Sequence, residues 1–324
     1  MPVKYWSFAG LMLTYWCNAS CASCYLCCSP ARQEEMPVET ALRFWRSLIE
    51  ACPHGCRIHI SGGEPFGDWP RLIETCRRAK AQGLGRLQKV ETNAFWATDA
   101  DVVRDRLGAL DAAGMERLVI STDPYHQQFV PIRRCRLAAR VAEEVLGPHR
   151  VQVRWQDWLT EGTDTDSLSD SRRADVFARY ALGGRDRLSG RAADRLAPLL
   201  SCKPAAEFAD KSCREALLRS RHVHVGPAGR LMPGTCAGIV LGTVGPESVS
   251  EVWHRLDADH AERPIVGRLA AGGPVELLAQ AVRDGFEPRE GYAGKCHLCW
   301  DVRRWMARHR LGGAELGPAW MYDE

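Results

Sequence analysis

Cys17-Asn18-Ala19-Ser20-Cys21-Ala22-Ser23-Cys24 is a C-x3-C-x2-C run, and Tyr25-Leu26-Cys27-Cys28 follows it directly. With 14 cysteines in 324 residues, about 0.03 such triplets are expected by chance. Disulfide frameworks belong mostly to small secreted domains without a sufficient core, so clustered thiols in a chain this long point to metal. Three thiolates on one loop can ligate three irons of a [4Fe-4S] cubane and leave the fourth iron open. A structural zinc held by four of Cys17, Cys21, Cys24, Cys27 and Cys28 is the competing reading.

Working outward, the run follows an apolar stretch, residues 8–14, that reads as a strand. Further strand-like stretches at 57–61, 87–92, 117–122 and 150–155 begin at intervals of about 30 residues, the length of a strand–helix–strand crossover. Helical periodicity fills the gaps at 37–51, through Leu42, Trp45 and Leu48, and at 99–113, through Val103, Leu107 and Leu110. Parallel strands follow, with chemistry expected where each strand runs into its helix. Those ends carry the unusual residues. Thr14 leads to the cysteines, Ser61 to Gly62-Gly63-Glu64-Pro65, Thr92 to Asn93, Thr122 to Asp123-Pro124-Tyr125-His126, and Trp155 to Gln156-Asp157.

A cysteine triad directly after a first strand, with Gly-Gly-Glu-Pro at the end of the second, resembles the radical S-adenosylmethionine superfamily over residues 8–160. The resemblance implies an α/β fold, a partial (β/α)6 TIM-like barrel, with Cys17, Cys21 and Cys24 holding a [4Fe-4S] cluster whose open iron chelates S-adenosylmethionine. Reductive cleavage to a 5′-deoxyadenosyl radical and hydrogen abstraction from an unactivated carbon are the implied chemistry. Gly62, Gly63, Glu64 and Pro65 are implied at the methionine amino group, the glycines because backbone without a Cβ can approach a ligand closely. Thr92, Asn93, Ser121 and Asp123 are implied as polar contacts to the nucleotide, and Arg154 as partner of its carboxylate. The sequence departs from the family pattern before the last cysteine, where an aromatic or histidine is usual and Ser23 stands; Tyr25 follows instead.

Outside the triad, Cys27 and Cys28 are expected as packed thiols beside the cluster, and Cys52, Cys56, Cys76 and Cys135 as buried small hydrophobes. A boundary is expected near residue 200, dividing a barrel at 1–200 from a small α+β domain at 201–324. In the second part residues 222–225, the turn Gly226-Pro227-Ala228-Gly229 and residues from 231 on read as a hairpin, followed by helices at 246–256, 275–283 and 301–309. Cys213, Cys236, Cys296 and Cys299 are spaced to gather four thiolates from separated segments, with Cys202 in reserve and His297 as an outlying alternative. The set is similar to the SPASM/twitch auxiliary-cluster extensions of the same superfamily, which implies a second [4Fe-4S] cluster; structural zinc or a redox thiol pair is the alternative.

Tyr125 and His126 stand where a substrate-facing acid or base would be useful. His222 and His224 alternate on a strand and so share one face, an arrangement that ordinary packing also explains. A net charge of +3 spread along the chain offers no basic patch for nucleic acid, and no stretch near the start is long enough to cross a membrane. A cytoplasmic enzyme is expected, served by an external electron donor such as flavodoxin or ferredoxin. Family analogy makes oxidation or cross-linking of a peptide the first substrate expectation. The barrel starts close to Met1, which leaves no room for a leader-binding domain; a peptide substrate would then need a separate recognition protein, and a natural-product or sugar-like metabolite is the alternative. A non-catalytic zinc-binding module is the reading from a different class.

Overall fold

The computed structural model describes residues 2–323. Eight strands form one sheet in the order β5-β4-β3-β2-β1-β6-β7-β8. They are β1 Phe8–Met12, β2 Arg57–Ser61, β3 Leu87–Thr92, β4 Leu118–Ile120, β5 Val151–Val153, β6 His222–Val225, β7 Arg230–Pro233 and β8 Gly242–Thr243. From β5 across to β6 every pair is parallel; β7 and β8 add antiparallel.

The fold is therefore the expected α/β partial barrel, with one change in where its sixth strand comes from. The first strand of the expected C-terminal hairpin, β6, lies parallel to β1 with Gly10 opposite His224. The sheet thus runs across the boundary expected near residue 200, and the later segment completes the parallel array. β1 is the central connection, because its backbone pairs with β2 on one edge and β6 on the other.

The helices are α1 Val38–Glu50, α2 Trp69–Ala81, α3 Ala100–Ala112, α4 Ile132–Leu146, α5 Gln156–Glu161, α6 Asp170–Leu182, α7 Arg191–Arg195, α8 Val249–Asp259, α9 Val266–Ala271, α10 Pro274–Arg283 and α11 Lys295–Arg308. Their starts have local causes. Asp68 caps α2 by accepting from Arg71 N, with proline in the first turn, and Asp99 caps α3 by accepting from Asp101 N and Val102 N. Ser248 and Glu251 form a reciprocal capping box on α8.

The strands divide their side chains with period two. Ala9, Leu11, Ile58, Ile60, Val90, Val223 and Val225 join the large core with Leu42, Trp45, Leu48, Leu72, Val103 and Leu107. The alternate residues, His59, Ser61, Lys89, Glu91, His222 and His224, line a cavity inside the array. Cys52, Cys56, Cys76 and Cys135 are buried in the core, as expected. No helix among the described residues is long and apolar enough to cross a membrane.

Candidate active site

One cavity of about 420 Å³ opens at the carboxyl ends of the parallel strands, a volume in the range of small-molecule sites. Cys17, Cys21 and Cys24 line it together with Gly62, Gly63, Thr92 and Asn93. Ser121, Asp123, His126 and Arg154 reach it from the other strand ends. Glu64, Pro65 and Tyr125 are outside the lining.

The cysteine loop is fastened from three sides. Gly63 N donates to Thr14 O at 2.7 Å and Glu64 N to Trp16 O at 2.8 Å, which ties the loop after β2 to the residues just before Cys17. Arg191 at the start of α7 donates to Cys21 O at 3.0 Å and to Cys28 O at 3.1 Å. Asn93 Nδ2 stands 3.7 Å from the Cys17 sulfur and donates to Asn18 Oδ1 at 2.8 Å. Arg191 was not among the expected residues; it lies some 170 positions along the chain, with nothing local to mark it.

Three of the expected positions also have structural partners of their own. A Cβ on Gly63 would lie 1.9 Å from Trp16 O, and one on Gly62 2.3 Å from Thr14 O. The glycine pair is thus required by the approach of two backbone segments to each other. Glu64 is fully buried, and its carboxylate accepts from Phe66 N at 3.1 Å, Thr92 Oγ1 at 2.9 Å and Asn93 N at 2.7 Å. It holds the end of β3 to the end of β2, away from the ligand space. Tyr125 is also fully buried, its ring centre 4.8 Å from that of Phe177, with its hydroxyl on Phe177 O. Burial raises its phenol above the usual range.

His126 does face the cavity. Its Nδ1 is 2.6 Å from Asp123 Oδ2, while Asp123 Oδ1 accepts the backbone N–H groups of Tyr125 and His126 at 2.9 Å each. Burial pushes the imidazole pKa down, but the Asp123 charge and hydrogen bond outweigh it, and the net shift is upward. Arg154 donates to Glu91 at 2.5 Å, and Lys89 Nζ is 2.6 Å from the same carboxylate. The expected partner of a ligand carboxylate therefore already holds an internal one.

Three cysteines of one loop sharing one cavity form a donor set that would fit three irons of a [4Fe-4S] cluster and leave the fourth open. Burial raises the Cys17 thiol to about 12 and Cys21 well above its usual value, so metal binding there must displace protons. Cys27 and Cys28 are buried beside the triad as expected. A hydrogen bond with Cys28 lowers the Cys24 thiol to about 6.

A second, small cavity of about 30 Å³ is lined by Cys213, Cys236, Cys296 and Cys299, so the structure brings the four expected thiols together. Cys202 is exposed and outside this lining. His297 is outside it too, its Nδ1 accepting from Ala293 N at 3.2 Å. A residue missed from the sequence completes the site: buried Arg303 donates from Nε to the Cys299 sulfur at 3.3 Å and from its terminal nitrogen to Tyr322 Oη at 2.6 Å and Ala237 O at 3.0 Å. Arg187 and Thr235 line both cavities.

No protein-family profile and no curated protein matches the sequence. Among solved structures, the chain is similar to BtrN in complex with AdoMet and 2-DOIA, at 16% identity over 85% of this chain and 91% of that one, with a TM-score of 0.45. It is similar to native anSMEcpe with bound AdoMet and Cp18Cys peptide, at 13% identity over 94% and 97% of the two chains, with a TM-score of 0.46. The Streptococcus suis protein SuiB bound to S-adenosylmethionine matches at 14% identity over 77% of this chain and 65% of that one, with a TM-score of 0.43.

Proposed function

We propose that the chain is a radical S-adenosylmethionine enzyme that abstracts hydrogen from an unactivated carbon. The observation that carries this reading is the single cavity shared by Cys17, Cys21, Cys24 and the ends of four further strands. In this proposal the three cysteines hold a [4Fe-4S] cluster, which when bound supplies the electron that opens a sulfonium carbon–sulfur bond of the nucleotide. Asn93, Ser121 and Asp123 orient the nucleotide by hydrogen bonds, Thr92, whose hydroxyl is engaged by Glu64, Ala94 N and Trp96 Nε1, holds the end of β3 beside them, and the tied loops around Gly63 and Arg191 keep the cysteine loop in register with them. His126, held by Asp123, is placed to take or give a proton at Nε2 as substrate turns over.

Cys213, Cys236, Cys296 and Cys299 are proposed to hold a second cluster, separated from the first cavity by Arg187 and Thr235. Such a centre can accept an electron from a product radical, which supports oxidation or cross-linking of a peptide, with a flavodoxin- or ferredoxin-like donor and a separate peptide-recognition protein. The polar interior, with Lys89, Glu91, Arg154 and four histidines facing the cavity, favours a second reading, a small polar metabolite bound within the barrel.

The test is anaerobic reconstitution with iron and sulfide, reduction by dithionite, and mass-spectrometric detection of 5′-deoxyadenosine. Deuterated peptides and metabolites then identify the substrate by deuterium transfer. Tetrahedral thiolate zinc at Cys17–Cys24, with the nucleotide left intact, would overturn the proposal.

A further inference from the structure

We infer that His59, His222 and His224 form a mononuclear site for a divalent first-row transition metal ion, with its open coordination position facing the cavity. One ring nitrogen of each residue lies within 4.8 Å of those of the other two, and all three side chains line the cavity. No sequence motif announces the site, because β2 supplies one ligand and β6 the other two. Register brings them together: Gly10 of β1 pairs with His59 on one side and with His224 on the other.

Gly10 is what makes room. A Cβ there would lie 2.4 Å from both the His59 and the His224 rings, so a strand-interior glycine marks a close approach by side chains from both neighbours. A Cβ at Gly234 would lie 2.2 Å from the His222 ring. The backbone is cleared around the imidazoles on two sides.

The rings also carry unspent ligand capacity. His59 is 1% exposed, yet its buried Nδ1 has no hydrogen-bond partner, and neither has the buried Nε2 of His222. Buried polar nitrogens are normally paired, and each one left unpaired calls for an explanation. Metal–nitrogen bonds of about 2.0–2.1 Å require nitrogens about 3.4 Å apart in tetrahedral geometry, so binding would draw the three rings together. Three imidazoles with a free position form the donor set of zinc sites that bind a water or substrate group, and imidazole suits the later first-row ions. Lys89 and Arg154 both pair with Glu91, at 2.6 and 2.5 Å, so the fixed charge beside the rings is net positive and the imidazole nitrogens, not nearby carboxylates, would supply the affinity. The ion would hold an oxygen or nitrogen donor of the substrate within the barrel.

The inference stands independently of the proposed function, and its test reads metal rather than turnover. The full-length chain, reconstituted anaerobically so that iron fills the thiol sites, is titrated with zinc, desalted and assayed for zinc per chain, and its zinc environment is read by X-ray absorption. One additional zinc with a nitrogen first shell near 2.0–2.1 Å is expected, with affinity reduced about tenfold or more in His222→Gln and in His224→Asn. Failure to retain zinc, or a sulfur shell near 2.3 Å, overturns the site in the wild-type protein alone, whether or not either variant folds. Equal zinc affinity in folded variants overturns it as well. Iron content and nucleotide cleavage, measured on the same samples, report separately on the cysteine sites.

Discussion

The Glu64 carboxylate, just after β2, accepts the backbone N–H of Asn93, just after β3, at 2.7 Å. With Phe66 N and Thr92 Oγ1 on its other oxygen, all three partners are donors, so only a group with two acceptor atoms satisfies them. Glu64→Gln turns an NH2 toward one of these donors, and the buried mismatch is expected to cost about 1–3 kcal/mol, read as a lower urea midpoint. Burial raises this carboxyl to about 7, the three hydrogen bonds opposing it. A raised carboxyl pKa means that the native state binds the extra proton, so the group's contribution is full below about 4.5 and is lost as pH rises through about 7. The decline in wild-type stability from pH 5 to 8 is therefore expected to flatten in Glu64→Gln.

Two groups of thiols make separable predictions. On the proposed two-cluster reading, Cys17→Ala, Cys21→Ala and Cys24→Ala are each expected to abolish nucleotide cleavage and to lower iron from about eight to about four per chain. Cys28→Ala should retain most of both. Cys296→Ala or Cys299→Ala should remove the other four irons while S-adenosylmethionine cleavage persists, and Cys202→Ala, at an exposed position, should change neither. Iron and sulfide analysis with Mössbauer spectroscopy distinguishes these outcomes.

Much of this arrangement was legible because the signals are local. The cysteine spacing and the alternation of Arg57-Ile58-His59-Ile60-Ser61 lie within single segments, and strands β2 and β3 have the expected bounds. The starts of α2 and α4 are also written locally, in Asp68-Trp69-Pro70 and in Pro131 before Ile132. What was illegible depends on long-range pairing. The assignment of β6 to the barrel follows from its register with β1, and Arg191 reaches the cysteine loop, as Arg303 reaches Ala237 O, through contacts between segments far apart in the chain. Polar residues at alternate positions of buried strands, Lys89 with Glu91 and His222 with His224, were a readable sign that the barrel interior holds a polar ligand space.

The His126–Asp123 contact predicts a pH window. The imidazole pKa is raised in the folded protein, so its contribution is present below about 6.5 and is lost as pH rises through the folded value; the Asp123 carboxyl is lowered, so its share is lost as pH falls below about 3.8. The pair should therefore stabilise between these limits. His126→Gln is expected to remove the alkaline loss, seen as a flatter dependence of the unfolding midpoint above pH 6.5, and the wild-type imidazole should titrate above its usual value by NMR. If His126 also moves a proton in turnover, the rate with the identified substrate should lose its limb near that same titration in the variant.

Gly63 supplies the sharpest steric test. Its added Cβ would meet Trp16 O at 1.9 Å and Tyr15 C at 3.0 Å, both backbone atoms, so no flexible side chain can move aside. The chain must then separate at the Gly63 N to Thr14 O and Glu64 N to Trp16 O bonds, and Trp16 immediately precedes the first cysteine. Gly63→Ala is expected to cost about 1–3 kcal/mol by overpacking and, because the displaced segment carries Cys17, to lower iron retention at that site more than stability alone would explain. Gly108→Ala is the matched control: it lies within α3 with open space around its missing Cβ, and a helix-interior glycine replaced by alanine gains about 0.5–1 kcal/mol. Iron per folded chain should fall for Gly63→Ala and stay constant for Gly108→Ala; equal iron in both would show that the approach of these two loops does not position the cysteines.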